Sequence, residues 1–213
     1  MRGWVFSSGL IAVLAAAPAT GITLGQVDDF QDGTLQGWGG GSSPINVAAG
    51  GPDGAGDRYL QIGSSSGNLG TNNGTQWSGN YAAAGVTALL FELNNLGSNP
   101  VALRITLFGP GGSFTSSDET VLAAGSGWVS VQFGLAAADL TQTQGSGTLA
   151  QTLASVDTLL LRHDPDPISP PMQQNPVTGT LGIDNVTAVP EPGSALLLAP
   201  AVAALARIRP RRR

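Results

Sequence analysis

The sequence predicts an all-β fold, an antiparallel β-sandwich of the jelly-roll kind. Two observations carry the prediction. Short segments alternate apolar and polar residues with a period of two, the pattern of half-buried antiparallel strands. Glycine, 31 of 213 residues, falls in clusters between those segments, which marks turns and not a disordered tract. No repeat of about 20 to 50 residues is visible, and the length suits one domain.

In chain order, "PINVA" and "RYLQIG" are the first two segments with strand character. "LLFEL" aligns Leu89, Phe91 and Leu93 on one face, and "VALRITLF" aligns Val101, Leu103, Ile105 and Leu107. "DETVLAAG" follows, then "WVSVQF" with Val129, Val131 and Phe133 in step. "TLAQTLASV", Thr148 to Val156, reads as a short helix. "TLLLRH" and "GTLGIDNVTAV" close the set, the latter aligning Leu181 and Ile183. About eight or nine strands result, the number expected of a sandwich or barrel. The proline-rich "DPDPISPPMQQNP" reads as an irregular surface loop, because its prolines break a central strand.

The two ends differ from this body. Residues 1–19 have a positive start at Arg2, an apolar run and small residues at Ala17-Pro18-Ala19, the layout of a secretory signal peptide cut after Ala19. The body is then residues 20–188, and residues 189–213 form a separate tail: Pro190-Glu191-Pro192, an apolar run from Ser194 to Ala206, and five arginines. A helix over that run is about 20 Å long against a bilayer core of about 30 Å, so it spans only marginally. Such a segment suits transient membrane insertion with the arginines held inside.

Between residues 20 and 192 stand three arginines, no lysine and fourteen acids, a net charge of −11. Nucleic acid is excluded as a partner, since its binding rests on cations neutralising phosphates. Cysteine is absent. Thiol catalysis, thiolate metal sites and haem attachment go with it.

The tail "VPEPGS", apolar run and arginine cluster resemble the PEP-CTERM sorting signal of bacterial exported proteins. That resemblance implies an exosortase-type processing enzyme acting near Pro190, Glu191 and Pro192, and a destination at the cell surface or extracellular matrix. "DDFQDGTLQGW" and "LGIDNVTAV" are similar to the first and last strands of galactose-binding-like jelly rolls, including carbohydrate-binding modules. Those folds commonly hold a structural calcium where the two strands meet. By motif position the resemblance implies Asp29 and Asp184 as its ligands, and Ca²⁺ takes hard oxygens of this type.

The lone histidine, His163, shares a strand face with Leu159 and Leu161, and no activated-serine turn accompanies it. A histidine bonded to backbone is expected there, and no catalytic residue is assigned. Sugar recognition uses aromatic platforms with polar neighbours, which singles out Trp77 and Tyr81 of "TQWSGNY". Glu92 lies mid-strand opposite the apolar face and is a third candidate for ligand contact. The function expected is non-catalytic binding of extracellular polysaccharide. A structural matrix or biofilm component without a defined ligand is the alternative, and a glycosidase or lyase ranks below both.

Overall fold

The structure is a computed structural model that describes residues 21–171 and 173–190. The expected signal peptide, Glu191, Pro192 and the apolar run with its arginines lie outside the described residues. Among the described residues, no helix is long and apolar enough to cross a membrane.

Among the described residues, twelve strands and two short helices follow one another: β1 (Val27–Asp28), β2 (Ile45–Val47), β3 (Tyr59–Ser64), β4 (Gly70–Asn73), α1 (Tyr81–Ala84), β5 (Ala88–Asn95), β6 (Val101–Gly109), β7 (Gly112–Ser116), β8 (Thr120–Leu122), β9 (Trp128–Gly134), β10 (Leu140–Gln144), α2 (Leu149–Ala154), β11 (Thr158–His163) and β12 (Gly179–Val189). They form two antiparallel sheets of six strands. The first runs β2-β3-β12-β5-β9, with β1 also on β12; the second runs β10-β7-β6-β11-β4, with β8 on β6. The β-sandwich predicted from the sequence is the fold observed.

The core lies between the sheets and is filled by the alternating residues already named, except Val129, which is 37% exposed near the start of the edge strand β9. Leu89, Phe91 and Leu93 of β5, with Leu181 and Ile183 of β12, are fully buried from the first sheet. Leu103, Ile105 and Leu107 of β6, with Leu159 and Leu161 of β11, meet them from the second. Burial of each such side chain contributes about 1.5–3 kcal/mol. The helix expected at Thr148–Val156 forms as α2, opened by a capping box in which Thr148 accepts from the Gln151 N–H and the Gln151 side chain accepts from the Thr148 N–H.

Four strands lack the alternating signal. β1 is two residues long, and β4 (GTNN), β7 (GSFTS) and β10 (LTQTQ) are polar. In β4 the inward positions are Thr71 and Asn73, 1% and 0% exposed. Asn73 donates to the Gln36 carbonyl at 2.9 Å and accepts from the Thr75 N–H at 3.0 Å, so a buried amide replaces the apolar side chain that periodicity would seek. β1 pairs with β12 through Val27–Thr187 and Asp28–Val186, which sets the first and last strands side by side. β12 continues through Val189, opposite Ala88 of β5.

Candidate functional site

Register arranges the outward face of the second sheet in rows. One row reads Asn72, Leu160, Thr106, Thr115 and Thr141 across β4, β11, β6, β7 and β10. Beside it lies a row of Thr158, Phe108 and Ser113, and on the other side a row of Gly70, Arg162 and Arg104. A groove of about 490 Å³ opens over this face, with Asn72, Phe108, Thr158, Leu160 and Arg162 in its lining. That volume suits a small-molecule or oligomer site, typically about 300–1,000 Å³. Phe108 and Leu160 are half-buried and supply apolar surface. Thr106 and Thr115 stand behind them with hydroxyls 2.9 Å apart, and Thr143 continues the chain at 3.2 Å. Glycine is required at position 70, where a Cβ would lie 2.9 Å from the Leu161 carbonyl oxygen and 3.0 Å from Arg162 Cβ.

The proline-rich loop forms a wall of this groove through Pro171 and Gln173. It is irregular, as expected, yet two buried arginines anchor it. Arg162 donates to the carbonyls of Ser169, Pro170 and Pro171 at 2.6, 3.1 and 2.9 Å and to Asp164 Oδ2 at 2.6 Å. Asp164 also accepts from Ser169 Oγ at 2.5 Å and from Asn175 Nδ2 at 2.7 Å. Arg104, 0% exposed, donates to the carbonyls of Asp164, Ser116 and Ser117 and pairs with Asp166 and Glu119. Arg162 Nε is buried and has no hydrogen-bond partner. That nitrogen is sealed from solvent, so the unpaired donor is an internal deficit of the wall and not a contact offered to a ligand. His163 accepts the Ala102 N–H at Nδ1, 3.0 Å away, the backbone bond expected of it. Burial pushes its pKa down, which keeps the imidazole neutral at pH 7.

Trp77 and Tyr81 are not surface platforms. Both are 0% exposed. Trp77 Nε1 donates to Asp28 Oδ2 at 2.6 Å, Trp38 Nε1 donates to the same oxygen at 2.7 Å, and Gln76 Nε2 takes Oδ1 at 2.7 Å. Tyr81 donates its hydroxyl to the Trp77 carbonyl at 2.9 Å, and burial raises its pKa. The polar neighbours that suggested exposure are the turn around an inward-facing cluster. An indole whose N–H finds a buried carboxylate gains more inside than at the surface.

Glu92 and Asp184 are cross-strand partners on the outward face of the first sheet, with Ser130 beyond Glu92. Glu92 is half-buried and Asp184 fully buried. Neither lines the groove, so the two carboxylates do not flank a bound substrate there. A β-bulge between Asp184 and Thr187, with Asn185 at φ 46°, turns the strand at this point. The Asp184 carboxyl is pushed up to about 7, first by burial and then by the negative charges of Asp57 and Asp29. Ionised, its Oδ2 has no donor. A proton shared with Asp57 or a bound cation removes that deficit. Oxygen donors of this kind suit calcium, but among the described residues no three His, Cys, Asp or Glu side chains come together as metal ligands. Asp29, the other expected ligand, accepts the Gln31 N–H at Oδ1, 3.2 Å away. An ion here would draw most of its ligands from carbonyl oxygens and water.

No protein-family profile and no curated protein matches this sequence. Among solved structures the chain is similar to an exo-β-agarase, with a TM-score of 0.57 and 14% identity over 80% of this chain and 25% of the enzyme. It is also similar to the carbohydrate-binding module CtCBM11, with a TM-score of 0.53 and 15% identity over 82% of this chain and 98% of the module. The chain thus spans a quarter of the agarase and nearly the whole module. Its body has the β-sandwich fold of carbohydrate-binding modules.

The groove residues Asn72, Phe108, Leu160 and Arg162 carry no local sequence signal. They come from three strands, and only register brings them together.

Proposed function

We propose that this body is a non-catalytic carbohydrate-binding domain that holds an extracellular polysaccharide along the groove of the second sheet. The supporting observation is the groove itself: half-buried Phe108 and Leu160 lie beside Asn72 and Thr158, apolar surface next to hydrogen-bonding groups in the mixture that sugars present. The likeness to the carbohydrate-binding module CtCBM11 and to the exo-β-agarase supports it as well. The ligand is a neutral polymer. Of the three arginines in the body, Arg104 and Arg162 are buried, which leaves an acidic surface that repels polyanions.

The protein reaches its polymer by export with the N-terminal signal peptide, and an exosortase-type enzyme processes it at the Pro190-Glu191-Pro192 signal. Mass spectrometry of both termini in the native host tests this address; a mature species retaining the terminal arginines removes it. A structural calcium at Asp184 is part of the same reading, and a rise in the thermal midpoint with added Ca²⁺ that Asp184→Asn abolishes tests it.

For the groove, titration calorimetry with agaro- and β-glucan oligosaccharides is the test. Phe108→Ala with Asn72→Ala is expected to weaken binding at this face at least about tenfold, the loss of about 1.4 kcal/mol. Unchanged affinity in the folded double variant overturns the assignment.

A further inference from the structure

Trp128 opens β9, at the edge of the first sheet, and its cross-strand partner is Asn94 of β5, which in turn faces Gly182 of β12. A Cβ on Gly182 would stand 2.9 Å from Trp128 Cη2. The indole therefore reaches over two strands, a separation of about 10 Å between β9 and β12. A ring that extends so far lies along the sheet and does not stand up from it. The same Cβ would stand 3.3 Å from the Tyr59 ring, so both aromatics meet above one glycine, with centroids 5.2 Å apart and planes at 79°. Trp128 Nε1 donates to the Gly50 carbonyl at 2.9 Å, which fixes the ring before any ligand arrives.

Trp128 differs from the other tryptophans described: Trp38 and Trp77 are sealed in the core, whereas Trp128 is part-exposed and packs on Tyr59, which is buried at 8% exposure. Hydrogen-bonding side chains surround it on the same outward face. Gln61 pairs with Gly182 in the same row, and Glu92, Ser130 and Gln132 follow on β5 and β9. Arg104 and Arg162 are on the other sheet and buried, and the half-buried Arg58, next to Tyr59 in the chain, donates to Asn46 Oδ1 at 3.1 Å. A flat indole face with amide, hydroxyl and carboxylate neighbours matches a neutral pyranose, whose C–H face stacks on the ring while its hydroxyls bond at the rim.

We propose that Trp128, backed by the buried ring of Tyr59, forms a second carbohydrate platform on the first sheet, so that one domain holds two strands of neutral polysaccharide on opposite faces and cross-links them. The inference rests on the carbohydrate-binding reading above and adds a second, structurally separate site to it. The groove uses the outward face of the second sheet, and the sandwich core separates the two.

The test is oxidative footprinting of the intact protein with residue-level mass spectrometry, with and without cellotetraose and agarotetraose, together with turbidity of the corresponding soluble polymers. Trp128 is expected to be protected by a tetrasaccharide that binds, with a stoichiometry of two. Trp128→Ala is expected to reduce that stoichiometry to one and abolish polymer clouding while the groove still binds, and Trp128→Phe is expected to restore part of both. Gly182→Ala, which displaces the ring, is expected to weaken the platform about tenfold, a loss of about 1.4 kcal/mol. Sugar binding with Trp128 fully reactive and a stoichiometry of one overturns the platform and leaves the groove standing. Binding by neither face overturns both readings. Protection of Trp128 by self-association in the absence of sugar assigns the face to a second copy of the chain and overturns the proposal.

Discussion

Two aromatic clusters in this protein share a chemistry and have opposite placements. Trp38 and Trp77 close around the Asp28 carboxylate inside the sandwich, with Tyr81 bonded to the Trp77 carbonyl, and Trp128 reaches over Gly182 on the outside and packs on the buried Tyr59. In each case the destination of the indole N–H decides the placement. Two N–H groups converge on one buried carboxylate in the first cluster, whereas in the second the N–H bonds a loop carbonyl and the ring face stays available. Burial of an aromatic is therefore a statement about its polar edge as much as its apolar area.

The comparison breaks most visibly at Asp28. Asp28→Ala leaves two indole donors and the Gln76 amide unpaired in the core, and the expected loss is about 3–5 kcal/mol, read from the urea midpoint at constant m-value. Loss of less than about 1 kcal/mol would mean that apolar packing alone holds these rings.

A smaller effect separates Asp184 from Asp28. The Asp184 pKa of about 7 in the fold stands above its ordinary value of 3.8. The folded state keeps a proton that the unfolded chain has lost, so stability falls as pH rises from about 4 to about 7 and levels off above that. Chelator-treated protein is expected to show this slope in denaturant titrations. Asp184→Asn is expected to reduce it, leaving the part contributed by Asp28, whose carboxyl burial also pushes up.

The smallest effect is expected at the surface pair. Trp128→Ala costs about 1 kcal/mol or less in stability, since the ring is part-exposed on an edge strand and makes one loop hydrogen bond. A loss as large as that of Asp28→Ala would place Trp128 among the structural aromatics and not the ligand-facing ones.

The sequence made some of these features legible and hid others for physical reasons. β5, β6, β9 and β12 alternate because one face of each fills the core, and the pattern in Leu89, Phe91 and Leu93 or Val101 to Leu107 shows it directly. β4 and β10 show nothing of the kind. Asn73 is buried by satisfying its amide with backbone and threonine partners, and no periodicity reports a hydrogen bond. Trp77 and Tyr81 were the wrong aromatics for the same reason: their polar neighbours signal a turn, and the carboxylate that draws Trp77 inward is 49 residues away in the chain. The acidity of the body was plain from composition. That two of its three arginines are buried, and the surface more acidic still, was not.

By itself the sequence determined an all-β sandwich and the acidity of its body. These follow from residue type and spacing, which act locally and add along the chain. Tertiary structure alone decided which aromatics face solvent, which carboxylate is left short of a donor, and where a groove opens. Those depend on register between strands far apart in sequence, where a single glycine such as Gly182 lets two rings from β3 and β9 meet.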